Sequence, residues 1–328
     1  MTHKSVPHRI ERGAVLRVVR ECNRHDKSQY VPFYVGSRLI GYIGKFFAAE
    51  MKSACSPGKD CELHVELESC SLDKNESSEG EVRFSSSLML CSVEERTLRF
   101  SKLMQKLRDR GLIRTHASAG SHRLSIPTSK DPRSNECIFR VSDDVARYLG
   151  VVSYGIHING YQRIGSDLFV WVARRDNRVR APWLDQLVST TLTSFEPEKI
   201  PFFIRRKCME KAGMSDELYE HVHFVSSISQ RYESRTGLMT RRLWSYDVEL
   251  PEGFTPKYAS KSGKTTVDFE LVRASSMLER LLTRPEEWNS ASALVFIEFC
   301  KRHGVITPIN EPDYYRISSE LTAYPEIE

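Results

Sequence analysis

The chain has no run of about 18 apolar residues, which excludes a membrane-spanning helix. Residues 1–12 carry no apolar core of the kind a secretory signal needs. A cytoplasmic chain is the expectation, and the early basic residues keep a mitochondrial address open as the alternative. None of the eight cysteines stands in a Cys-x-x-Cys pair, and the spacing of Cys55, Cys61 and Cys70 fits no zinc pattern. Free thiols in a reducing compartment are therefore expected. There is no strong excess of either charge. A formal net charge of +5 permits an anionic ligand without demanding nucleic acid. What is present is ordinary for a globular protein, with 40% hydrophobic and 28% charged residues over 328 positions. That length allows two domains or one large one.

Along the chain, Val15, Val18, Val19 and Cys22 share one face of a short amphipathic helix within 9–24. Tyr30–Ile43 holds two apolar runs broken at Gly36-Ser37, a β-hairpin, and 44–52 reads as a helical turn. Residues 71–82 are polar and aperiodic, within a surface insert expected near 52–82. A helix follows: Ser92 and Glu95 form a capping box, Leu98, Phe100, Leu103, Met104 and Leu107 supply the apolar stripe, and Gly111 stops it. Residues 115–136 read as loop. From Val151 strands dominate, with Ser153–Tyr161 and Asp167–Arg175 joined through Gly165. A helix over 199–212 places Ile200, Ile204 and Cys208 inward, holds Pro201 in its first turn and ends at Gly213. Strands at 222–233 and 240–250 and helices near 274–283 and 291–303 complete the expectation. The class is α+β, a layered sandwich rather than a doubly wound sheet.

The segment Glu198–Met214, with Arg206-Lys207-Cys208-Met209-Glu210-Lys211-Ala212-Gly213 inside it, has the spacing of a Nudix box. Further pieces agree: Tyr154–Tyr161, Trp171–Arg175, Leu184–Val188, Tyr246–Pro251, Ala293–Gly304 and, earlier, Pro32–Tyr42. Together they resemble the Nudix hydrolase superfamily, in the thiamine-diphosphate-type subgroup related to the domain fused to some thiamine pyrophosphokinases. The resemblance implies a Nudix αβα sandwich with a mixed sheet over 149–328. A small α/β N-terminal domain over 1–148 would precede it. It implies a diphosphate-containing small molecule as substrate, Mg²⁺ or Mn²⁺ as cofactor, and water attacking phosphorus. Arg206 and Glu210 are the catalytic positions it points to. Arg174, Arg175, Lys207 and Lys211 are the substrate contacts, and Glu210 with Glu198 the metal ligands.

The box departs from its pattern in charge. Residues 207, 210 and 211 fall at i, i+3 and i+4, so their side chains share one helix face. Three carboxylates there would converge on a hard cation. This chain has Lys207, Glu210 and Lys211, and ammonium groups repel Mg²⁺. Ser189-Thr190 stand where the resemblance expects a glycine pair, and Glu196 and Glu198 compete for the first box glutamate. Two functions stay open. One is a Mg²⁺-dependent diphosphatase with a reduced metal site, rebuilt in part from Glu196, Glu198, Glu233 or Asp268. The other is a non-catalytic module that holds a phosphorylated ligand, RNA or a protein partner. Lys207 and Lys211 are read as phosphate contacts or as a solvated basic face, and Arg205, Arg206, Arg241 and Arg242 as an anion patch or plain charged surface. His221 and His223 read as surface histidines, His157 as a hydrogen-bonded core histidine, and the four tryptophans as core packing.

Overall fold

The computed structural model describes residues 10–55, 80–84, 88, 90–114, 123–127, 137–177, 180–192, 197–259 and 265–323. Most of the insert expected near 52–82 lies outside these residues. Helix α1 (Ala14–Cys22) follows Gly13, whose φ of 77° starts it from a left-handed residue. Strands β1 (Tyr30–Val35) and β2 (Arg38–Gly44) form the expected hairpin around Gly36. Helix α2 (Lys45–Ala54) is longer than the single turn expected, and β3 (Val82–Phe84) runs parallel to β1.

Helix α3 (Val93–Asp109) starts at Ser92, whose hydroxyl accepts from Glu95 N at 3.2 Å. Only half of the expected capping box forms, because the Glu95 carboxylate pairs with Arg99 at 2.5 Å. Leu98 does not join the stripe; it is 56% exposed, and Thr97 is buried instead. Positions 97, 100, 104 and 107 keep to one side of a 3.6-residue turn, and 98 lies about 100° away. Strand β4 (Arg123–Pro127) interrupts the expected loop and pairs with β5 (Cys137–Ser142). Helix α4 (Asp143–Leu149) ends at Gly150, φ 59°.

The second half is built on seven strands. They are β6 (Val152–Ile164), β7 (Asp167–Asn177), β8 (Arg180–Gln186) and β9 (Val188–Leu192), then β10 (His223–Ser234), β11 (Gly237–Glu249) and β12 (Thr265–Arg273). The main path is β10-β11-β6-β7-β12, with β8 against β7 and β9 against β6. The sheet is mixed, since β11 runs parallel to β6 and the other pairs are antiparallel. The fold is α+β.

Helices cover both faces. Helix α5 (Ile200–Ala212) carries the box and ends at Gly213, φ 65°. Its Ile204, Cys208 and Ala212 join Ile156, Ile158 and Trp171 in one core. The short α6 (Asp216–Tyr219) follows. On the other face lie α7 (Ala274–Thr283), α8 (Ser290–Arg302) and α9 (Tyr314–Thr322), the last beyond the final helix expected. Helix α1 packs with them, although it precedes the first core in the sequence. Its Val15 and Val19 are fully enclosed among Leu294, Phe296 and Ile317. Each such side chain contributes roughly 1.5–3 kcal/mol on burial. Among the described residues no helix is long and apolar enough to cross a membrane.

Candidate functional site

Strands β6 and β7 pair only near their hairpin, from Tyr161–Val170 to Ile164–Asp167. Beyond that they diverge. Strand β9 takes the edge of β6 from Ile158 back to Tyr154, and β8 takes the edge of β7. The splay opens a cavity of about 440 Å³. Gly155 and His157 line it from β6, Arg175 from β7, Asp185 from β8 and Ser189 from β9. Lys211 reaches it from the box helix, Arg241 from β11, and Asn289 and Ala291 from the amino end of α8. A second hollow, of about 580 Å³, lies at the hairpin end between Gln162 and Glu252 and touches none of the expected site residues.

Arg175 is 5% exposed. Its Nε donates to Asp185 Oδ2 at 3.0 Å, and its guanidinium lies 6.0 Å from the centre of the Tyr258 ring. Its Nη2 is buried without a hydrogen-bond partner among the described residues. An orphaned buried donor of this kind costs about 1–3 kcal/mol unless a ligand or water accepts from it. Asp185 also accepts from Ser292 Oγ. Burial pushes its carboxyl up, but Arg175, His157, Ser292 and Lys211 together outweigh this and hold it below the ordinary range.

Lys211 Nζ donates to Ser189 O at 2.7 Å. Burial, with Arg175 adding repulsion, lowers its pKa to about 8 despite the attraction of Asp185. The cavity wall thus sets the cationic side chains of Arg175, Lys211 and Arg241 against the single carboxylate of Asp185. The amino end of α8 adds partial positive charge on the same side. The arrangement suits an anion.

The remaining expected residues are divided. On the box helix Lys207 Nζ lies 2.7 Å from Glu210 Oε2, and Arg206 Nε 3.7 Å from Glu210 Oε1. Arg174 is exposed, one residue along β7 from Arg175 and so on the opposite face. Its backbone partner is Asp268, also exposed. Glu198 and Glu233 are exposed, and Glu196 lies outside the described residues. Arg205 pairs with Asp216 at 2.6 Å, Arg206 faces Glu210, and of the four arginines Arg241 lines the cavity. The structure brings Arg175 and Lys211 together at the cavity and leaves Arg174 and Glu198 out of it.

Among the described residues, the donors on the box helix do not suit Mg²⁺ or Mn²⁺. The shared box face presents two ammonium groups, and Glu210 is engaged by Lys207 and Arg206. Among the described residues no group of three or more His, Cys, Asp or Glu is arranged to hold a metal.

Sequence reasoning missed Asp185 and left Arg241 on a different patch. It placed His157 correctly as a buried, hydrogen-bonded histidine, with Gln186 Oε1 2.8 Å from Nδ1, but not at a cavity wall. Trp171 and Trp288 are core residues, whereas Trp183 lines the cavity. His221 and His223 are exposed.

The relatives of known class are Nudix hydrolases. The chain is 26% identical to Nudix hydrolase 20, chloroplastic, of Arabidopsis thaliana, over 88% of this chain and 73% of that protein. It is 25% identical to Nudix hydrolase 24, chloroplastic, of the same plant, over 93% and 77%. An uncharacterized protein of Saccharomyces cerevisiae is 26% identical over 86% and 80%. No protein-family model matches the chain. A crystal structure of the Caenorhabditis elegans Ap4A hydrolase overlaps 45% of this chain and 98% of its own at 10% identity. The TM-score of that overlap is 0.30.

Proposed function

We propose that this Nudix-type chain holds a diphosphate-bearing small molecule, of the thiamine diphosphate class or its oxidised forms, in the splayed cleft. Ammonium and guanidinium groups replace the divalent ions there, and metal-dependent hydrolysis is weak or absent. The observation that carries this reading is the Lys211 ammonium, set in the cavity wall from a box position where a carboxylate would hold metal. Arg175 Nη2, buried and unpartnered among the described residues, supplies a second donor. Arg supplies a planar fork for phosphate oxygens and Lys a point charge. Arg206, Lys207 and Glu210 form a neighbouring ion cluster in which Glu210 is held by the two cations. A half-open cavity of about 440 Å³ is of the size that takes a small ligand, which favours that reading over RNA or a protein partner.

Thermal melts in EDTA with thiamine diphosphate and with inorganic pyrophosphate test the binding. A ligand at a hundred times its Kd adds about 2.7 kcal/mol of stability. That gain is expected without Mg²⁺ and is expected to vanish in Lys211→Met. Phosphate release with Mg²⁺ is expected near background, and higher in a Lys207→Glu, Lys211→Glu double variant. Rapid Mg²⁺-dependent turnover by the natural protein, untouched by Glu210→Ala, would refute the proposal.

A further inference from the structure

Under the cationic wall runs a line of hydrogen bonds whose direction is set by one backbone carbonyl. Ser292 O can only accept, so Gln186 Nε2 donates to it, at 2.7 Å. The same amide then turns its oxygen to His157, and Gln186 Oε1 lies 2.8 Å from Nδ1. An amide oxygen cannot donate, so Nδ1 carries the proton. With Nδ1 protonated, Nε2 of the neutral ring is an acceptor. Neutrality is expected here: burial, then Arg241 and Arg175, lower the His157 pKa against the pull of Asp185 and the Gln186 bond.

Gly155 uncovers that acceptor. Gly155 and His157 are two residues apart on β6 and share a face. A β-carbon at 155 would stand 3.2 Å from His157 Nε2 and 3.0 Å from Leu243 Cδ2. With glycine there, Nε2 opens toward the cavity that both residues line. Among the described residues nothing donates to it. The His157 side chain is otherwise enclosed, at 4% exposure. An acceptor facing the cavity and aligned by two groups behind it, the Gln186 amide and Ser292 O, is a reading head for a donor.

We infer that His157 is a specificity-determining residue: its Nε2 accepts a hydrogen bond from a hydroxyl or amine on the ligand whose phosphates sit on Arg175 and Lys211. This rests on the anion-binding reading of the same cleft. The ligand class narrows to a phosphate or diphosphate ester that carries a donor beside its phosphates, and bare pyrophosphate satisfies only half of the site.

Two variants and one spectrum test this. His157→Asn keeps a donor near the place of Nδ1 and removes Nε2, and Gly155→Ala covers Nε2 while keeping the ring. Binding of thiamine diphosphate, ADP and inorganic pyrophosphate is measured in EDTA for each protein. Either variant is expected to weaken the organic diphosphate that the natural protein binds best by about five- to tenfold. Pyrophosphate binding should stay within about twofold, because its contacts are untouched. Nitrogen NMR of ¹⁵N-histidine-labelled protein is expected to show a protonated Nδ1 and a bare Nε2 whose signal moves when the organic ligand is added. An equal loss for pyrophosphate and the organic ligand, no loss in either variant, or a protonated Nε2 would overturn the histidine assignment alone. Failure of the natural protein to bind any of the three probes would instead overturn the anion reading beneath it.

Discussion

Removing the Lys211 charge should make the free protein more stable and functionally poorer, and the structure sets the size of the effect. The Lys211 pKa falls from 10.5 to about 8 in the folded chain. About 2.5 units at 1.36 kcal/mol each is about 3 kcal/mol of charge-burial cost at neutral pH. That figure already contains the repulsion of Arg175 and Lys207 and the attraction of Asp185 and Glu210. The bond to Ser189 O offsets it by about 1 kcal/mol. Lys211→Met keeps the apolar stem and discards the ammonium. The expected gain is therefore about 2 kcal/mol at pH 7, read as a rise in the urea midpoint. The gain is also pH-dependent. The folded pKa lies below the unfolded one, so between about pH 8 and 10.5 the unfolded chain binds more protons. Stability of the natural protein then rises with pH, and the advantage of Lys211→Met shrinks across that window. Anion binding by the natural protein weakens over the same range as the ammonium discharges. A variant less stable than the natural protein at pH 7, with no change in the difference up to pH 10, would refute the assignment of Lys211 as a partly buried, desolvated cation held for its ligand.

Arg175→Met leaves the Asp185 carboxylate buried without its guanidinium and should cost about 3–5 kcal/mol in urea melts, with an Arg175→Met, Asp185→Leu double variant recovering most of it; a single-variant cost below about 1 kcal/mol would contradict the buried pair. His157 has its pKa lowered by burial, so the unfolded chain takes up a proton that the folded chain resists, and stability from this group is lost as pH falls below about 6.5. His157→Asn should flatten that part of the stability–pH curve, and an unchanged slope would place the ring in a solvated, titrating site. Gly150 has φ 59°, and a β-carbon there would fall 2.1 Å from Tyr42 O, so Gly150→Ala should lower the thermal midpoint by several degrees; an unaffected melt would contradict this close approach of α4 to the β1–β2 hairpin.

Local order was legible in the residues. The 30–43 hairpin needs a left-handed turn residue, and Gly36 supplies it. Ser92 as a cap, and Gly111 and Gly213 as helix stops, follow from chemistry confined to a few neighbours. That Lys207 and Lys211 flank Glu210 on one helix face is a property of the sequence alone, because helix spacing places the three side chains together.

The cavity was not legible, because its parts come from positions 155, 157, 175, 185, 189, 211 and 241. Period-two alternation could not say which of Arg174 and Arg175 faces inward, since Val170, Trp171, Val172 and Ala173 before them are all buried. The same ambiguity hides His157, which stands between two buried isoleucines on a strand covered on both faces. Only the divergence of β6 from β7 decides that Arg175, His157 and Lys211 share one space. Likewise only packing decides that α1, at the start of the described chain, completes the core against α8 and α9. Hydrogen-bonding and turn chemistry act over a few residues and are written in the sequence; the electrostatic site depends on distances across the sheet, which exist only once the layers have closed.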